Sequence, residues 1–211
     1  MDLEAAWYRA HREVAQAVGW SRLDQARFWR LIRKEGRSAN VLPACKPLKL
    51  ADYQTRFAER VESDEIITLL EPYEGVTDSL AALTRYGTLH FVTGGKNASA
   101  RRKALESTGL AGTSNEIVAL DPNVRRRPGE LKTLAAGDPR TLVVSAADDL
   151  IRAAGEAELF TVGIACGACV AARLHQGGAD VVYGSLDQLV DSLAQGGQDL
   201  IRAGLLPAPL G

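Results

Sequence analysis

Residues 141–167 read TLVVSAADDLIRAAGEAELFTVGIACG. A run rich in β-branched residues, Thr141–Ala146, stops at two aspartates. An alanine-rich helical stretch comes next, and a second apolar run covers Leu159–Ala165. Two short apolar runs flank a helical stretch, which predicts strand, helix, strand. A helical crossover brings its second strand back parallel to the first, with a right-handed connection. Asp148 and Asp149 stand where strand gives way to helix, the end of a parallel sheet that carries functional groups. Two readings compete there. They are ligands for a divalent cation, or acidic residues that suit the positive end of a helix dipole.

The same alternation extends in both directions. Strands are predicted at 88–93 (TLHFVT), 116–120 (EIVAL), 141–146, 159–165 and 180–184 (DVVYG). Helical stretches lie between most of them, including SARRKALESTG, GELKTLAAG and LIRAAGEA. This pattern predicts an α/β fold, a mostly parallel sheet with helices on both faces. The final helical stretch is expected to break at Gly196-Gly197. The first seventy or so residues differ, because their apolar positions recur at helical spacing. One helix is expected to end at Gly19, a second to run from a Ser21–Asp24 capping box to Gly36, and further ones to be capped by Ser63 and Thr77. The segment GRSANVLPACKPLKL, with two prolines and no period, reads as a loop. The domain reading is therefore a helical region at 1–72 and an α/β core at 73–211.

Composition sets outer limits. The 211 residues, 46% hydrophobic and 24% charged with a net charge of −1, suit a soluble domain with a sizeable core. That balance gives no electrostatic footprint for nucleic acid or an anionic membrane, and no apolar run is long enough to span one. Three cysteines (Cys45, Cys166 and Cys169) and no secretory segment predict a cytoplasmic location.

Four stretches, LEPYEGVTDSLAALTRYGTLHFVTGGKN, RRRPGELKTLAA, VVSAADDLIRAAGEAELFTVGIACG and GGADVVYGSLDQLVDSL, together resemble haloacid dehalogenase-like (HAD) phosphatases of the phosphoglycolate-phosphatase type. The resemblance covers nearly the whole chain and implies a HAD-like Rossmannoid parallel sheet with an N-terminal α-helical cap. It also implies phosphoryl chemistry. An aspartate of a D-x-D sequence attacks phosphorus, its second aspartate moves protons, a Ser or Thr and a Lys or Arg hold phosphoryl oxygens, and carboxylates hold Mg²⁺. Matched residue by residue, the hydroxyl falls on Thr93, with the N–H groups of Gly94 and Gly95 beside it. The cation falls on Arg127, before Pro128. These form a candidate phosphate site for a small phosphorylated ligand or inorganic phosphate.

The remaining motifs depart from the pattern. No D-x-D occurs in the 211 residues. The segment MDLEAAWYRAHREV resembles the family segment just after the nucleophile strand, so the first strand is not represented. The true start lies upstream, the flanking strands close up, or a partner, a second copy included, supplies a strand. The two metal positions fall on Ala146 and Leu150, which offer no oxygen to Mg²⁺. Asp148 and Asp149 are out of register with them and read as helix-start residues, with metal ligation the alternative. The resemblance thus yields a phosphatase-family fold in which catalysis is degenerate. The alternatives are a Mg²⁺-dependent phosphohydrolase with a truncated start or a displaced carboxylate, and a module that completes its sheet with a partner.

Other candidates carry less. Cys166-Gly-Ala-Cys169 has redox or half-zinc-site spacing but no second ligand pair, so two semi-buried thiols are expected. His11, His90 and His175 are scattered. Neither Gly-x-Ser-x-Gly nor Gly-x-Gly-x-x-Gly occurs. Trp7, Phe28 and Trp29 are expected to pack the helical region.

Overall fold

Helix formation in the first third comes from aromatic residues spaced to meet inside one bundle. The computed structural model describes residues 1–36, 41, 47–114, 116–138 and 140–202. Helices α1 (Glu4–Ala17), α2 (Gln25–Glu35), α3 (Pro47–Val61) and the short α4 (Asp64–Ile67) come first. Trp7 meets Trp29 and Phe57 edge-on at 6.4 and 6.0 Å between ring centres, the geometry aromatic quadrupoles favour. These rings and the buried Phe28, Tyr53 and Phe57 form one core cluster. Each fully buried large side chain contributes roughly 1.5–3 kcal/mol.

His11 is fully buried in this bundle, 4.5 Å from the Phe28 ring centre. Its Nε2 accepts from the Leu23 N–H at 3.2 Å, which puts the ring proton on Nδ1, 2.8 Å from the Tyr53 hydroxyl. Burial lowers the His11 pKa from 6.5 to about 4, so the ring is neutral.

Helix ends partly obey the expected signals. The cap of α2 is Asp24, whose carboxylate accepts from Arg27 N at 2.9 Å; Ser21 lies outside the helix. Aspartate at the N-cap satisfies an otherwise unpaired donor, so the helix begins one step after it. Ser63 occupies its N-cap position but turns its hydroxyl back to the Arg60 carbonyl. Thr77 lies inside α5 (Val76–Leu83), not at its cap. Helix α3 begins at Pro47, within the segment read as a loop; residues 37–40 and 42–46, with Cys45, lie outside the described residues.

From there strands and helices alternate: β1 (His90–Thr93), α6 (Ala98–Ser107), β2 (Glu116–Ala119), α7 (Arg127–Leu134), β3 (Leu142–Ser145), α8 (Asp148–Glu156), β4 (Phe160–Ile164), α9 (Ala171–Gln176), β5 (Val181–Tyr183), α10 (Leu186–Ala194) and α11 (Gln198–Arg202). All five expected strands are present, and the last helical stretch breaks between α10 and α11. Every strand pair is parallel, with Phe91 opposite Ile117, Val144 opposite Val162 and Val162 opposite Val181.

Alternate residues of the strands feed opposite faces. Leu142 and Val162 pack with Leu83 of α5 and Leu189 of α10, while Val143 packs with Leu131 of α7 and Ala153 and Ala154 of α8. This is the expected α/β architecture with helices on both faces. The sheet falls into two parts, β1-β2 and β3-β4-β5. No backbone hydrogen bond joins β1 to β3 among the described residues.

The helical bundle is fastened to the α/β part at the C-terminal end of α2. Arg33 donates to the Ala165 carbonyl at 2.8 Å. Arg173 of α9 reaches back to the carbonyls of Ile32 and Arg33 at 3.2 and 3.3 Å, a second donor to acceptors that also take the N–H groups of Gly36 and Val170. On the other side Arg101 of α6 pairs with Glu62 at 2.7 Å.

Candidate functional site

A cavity of about 760 Å³ opens at the C-terminal ends of β1 and β3, under the helical bundle. Trp7, Ile32 and Val61 wall it from the bundle; Thr93, Gly94, Arg127, Ser145, Asp148 and Asp149 wall it from the α/β part. The candidate phosphate-site residues, separated by more than thirty positions in sequence, are therefore brought together.

Arg127 is the organising group. It begins α7 and is only 6% exposed. Its Nη1 donates to Asp149 Oδ2 at 2.7 Å and its Nε to the Asp121 carbonyl at 3.3 Å. Its Nη2 lies 3.1 Å from where a Cβ on Gly94 would stand, so a side chain at 94 would crowd the guanidinium. Gly95 is constrained separately. Its φ is +113°, and a Cβ there would meet Glu62 at 2.6 Å. The Gly94-Gly95 pair thus lets β1 pass between an arginine and a glutamate.

The N–H groups of Gly94 and Gly95, the Thr93 hydroxyl and Arg127 Nη2 find no hydrogen-bond partner among the described residues. Donors gathered beside a buried guanidinium suit an anion. Ser145 is turned away from this role, because its Oγ accepts from its own neighbour Ala147 N at 3.0 Å.

Both aspartates that open α8 are engaged with basic or thiol donors. Asp148 accepts from Arg173 Nη2 at 2.6 Å and from the Cys169 thiol at 3.6 Å. Asp149 holds Arg127 through Oδ2 and takes the Leu150 N–H at 2.9 Å through Oδ1. Ala146 lines the cavity without an oxygen ligand to offer. Among the described residues no group of three or more His, Cys, Asp or Glu could hold a metal ion. A divalent cation needs several free oxygens, and this donor set does not fit one.

Asp121 sits just ahead of Arg127 in a local bend. Its carboxylate accepts from Asn123 N at 2.7 Å, and this bond, with Arg126 beside it, holds its pKa below the usual carboxylate range. The thiols of Cys166 and Cys169 are both free, and burial raises the pKa of each. Such thiols are poor nucleophiles at neutral pH. No helix among the described residues is long and apolar enough to cross a membrane.

Sequence reasoning missed four features of this site: Glu62, Arg101, Arg173 and the role of Asp149. Only Asp149 left a local signal, an acidic residue in a first helical turn.

A scan of protein-family models and a search of curated proteins find no match to the chain. Solved structures do match in shape. A haloacid dehalogenase-like hydrolase from Streptococcus pneumoniae superposes with a TM-score of 0.71 at 11% identity, covering 91% of this chain and 92% of that one. A predicted phosphatase from Clostridium acetobutylicum gives 0.66 at 13% identity, with 92% and 93% covered. A predicted phosphoglycolate phosphatase from Haemophilus somnus gives 0.61 at 17% identity, with 91% and 90% covered. With these likenesses over nine-tenths of its length, the chain has the haloacid dehalogenase-like fold.

Proposed function

We propose that this protein binds a small phosphorylated ligand, or inorganic phosphate, in the cavity beneath its cap-like helical bundle and does not turn it over. The observation that carries the reading is the meeting of Thr93, Gly94, Gly95 and buried Arg127 on one cavity wall, with Arg127 Nη2 against Gly94. An anion there gains charge-assisted bonds from a guanidinium shielded from water.

The absence of turnover rests on the second carboxylate region. Hydrolysis of a phosphate ester by this fold's chemistry needs a metal to offset developing charge. The positions that the resemblance assigns to it are Ala146 and Leu150, and Asp148 and Asp149 serve arginines instead. Asp149 also shares Arg127, so an incoming phosphate competes with a carboxylate and binding is modest.

Titration calorimetry with inorganic phosphate tests the reading. Binding that disappears in Arg127→Ala is the expected result. Mg²⁺-dependent release of p-nitrophenol from its phosphate ester by the wild-type chain would overturn the non-catalytic part.

A further inference from the structure

We infer that Asn97 is the positioning residue of the Gly94-Gly95 loop, clamping it to the helical bundle, an inference that rests on the proposed anion site. Asn97 does not line the cavity, so it acts through the loop and not on the ligand.

The loop between β1 and α6 has little of its own to hold it. Gly94 and Gly95 carry no side chains, and Gly94, Gly95 and Lys96 make no backbone hydrogen bond among the described residues. At one end the Thr93 carbonyl is tied, accepting from Leu120 N at 2.9 Å. Arg127 walls the loop at Gly94, and Glu62 walls it at Gly95. The tie at the other end is Asn97.

Asn97 uses both halves of its side-chain amide. Its Oδ1 accepts from Ala100 N at 3.1 Å and so caps α6. Its Nδ2 donates to the Glu62 carbonyl at 3.1 Å and to Asp64 Oδ1 at 2.5 Å. With the Arg101–Glu62 pair, these bonds join residues 62–64 of the bundle to residues 97–101 beside the loop. A cap alone needs only an acceptor, which serine or aspartate supplies equally well. The two N–H donors are what asparagine adds, and both are spent on the bundle. An anion that must order a two-glycine loop binds more weakly than one that meets it preformed. The bundle thus shapes the anion site through the main chain.

The test uses the full chain, isotopically labelled, with Asn97→Ser and Asp64→Ala. Serine keeps an oxygen for the Ala100 N–H but lacks the amide donors. Asp64 is exposed, so its replacement leaves the core intact. Titration with inorganic phosphate should show about tenfold weaker binding in each variant. Amide order parameters at Gly94 and Gly95 should fall from about 0.85 to below about 0.6 while those in β4 hold, and saturating phosphate should restore them. Unchanged order parameters in both variants would overturn the clamp. An equal fall across the bundle and β4 would also overturn it, as general loosening. A loosened loop with unchanged phosphate affinity would deny that the clamp serves the anion. If the wild-type chain binds no phosphate, the anion reading fails, and the order parameters alone decide whether Asn97 holds the loop.

Discussion

Arg127 donates to Asp149 across 2.7 Å while its other amino group lies against Gly94, so one buried guanidinium joins the end of β1 to the start of α8. The pair is unequal. Arg127 is nearly closed off from solvent, and the Asp149 side chain is 53% exposed. Asp149 keeps a buried positive charge compensated and at the same time competes for the group that would hold an anion.

Replacing Asp149 by asparagine therefore has two opposite effects. Stability should fall by about 1 kcal/mol, a value reduced by the exposure of the carboxylate. Phosphate affinity should rise about tenfold, because Arg127 Nη1 is released and a negative charge is removed. Urea unfolding and calorimetry on the same variant check both. A variant that binds phosphate no better would mean that Arg127 does not face the ligand.

Arg173 makes a different prediction, about the joint between bundle and core. It is 15% exposed, bonds Asp148 and covers the carbonyls of Ile32 and Arg33. Arg173→Ala takes the cation from half-buried Asp148 and the second donor from both carbonyls, and should cost about 2–3 kcal/mol. Amide exchange at Val170, which donates to the Arg33 carbonyl at 3.3 Å, should accelerate more than exchange in β4. Uniform acceleration would deny that Arg173 acts at this joint.

His11 predicts a pH dependence. Its folded pKa, about 4, lies below the ordinary 6.5. Between those values the unfolded chain takes a proton that the native ring refuses, so stability declines as pH falls from 6.5 towards 4. The loss attributable to His11 is at most about 3 kcal/mol. Carboxylates paired with arginine add loss in the same direction at lower pH, so the informative quantity is the difference from His11→Gln. That variant should lose the slope just below the ordinary histidine pKa. If the two slopes match there, the imidazole is not buried neutral.

The sheet was legible because short apolar runs alternate with helical stretches, and all five strands lie where those runs predicted them. The start of α8 at Asp148 was legible for a similar local reason, two acidic residues in a first turn. Caps were read less well. Ser21 and Asp24 both suit an N-cap, and the helix begins after Asp24, whose carboxylate takes the Arg27 N–H. The residues that close the cavity were not legible. Arg173 meets Ile32 and Arg33 across 141 and 140 positions, and Glu62 meets Arg101 across 39. No local pattern encodes such pairs. Likewise Asp148 and Asp149 have the same chemistry in sequence, and only the fold assigns one to Arg173 and the other to Arg127.

The most direct test is a phosphorus NMR experiment on a small phosphate ester with stoichiometric protein and Mg²⁺. A binding protein without turnover gives a shifted or broadened ester line that returns to its free form with Arg127→Ala, and no growth of inorganic phosphate over hours. An ester line unaffected by the wild-type protein, or a steadily growing inorganic phosphate signal, would contradict that claim.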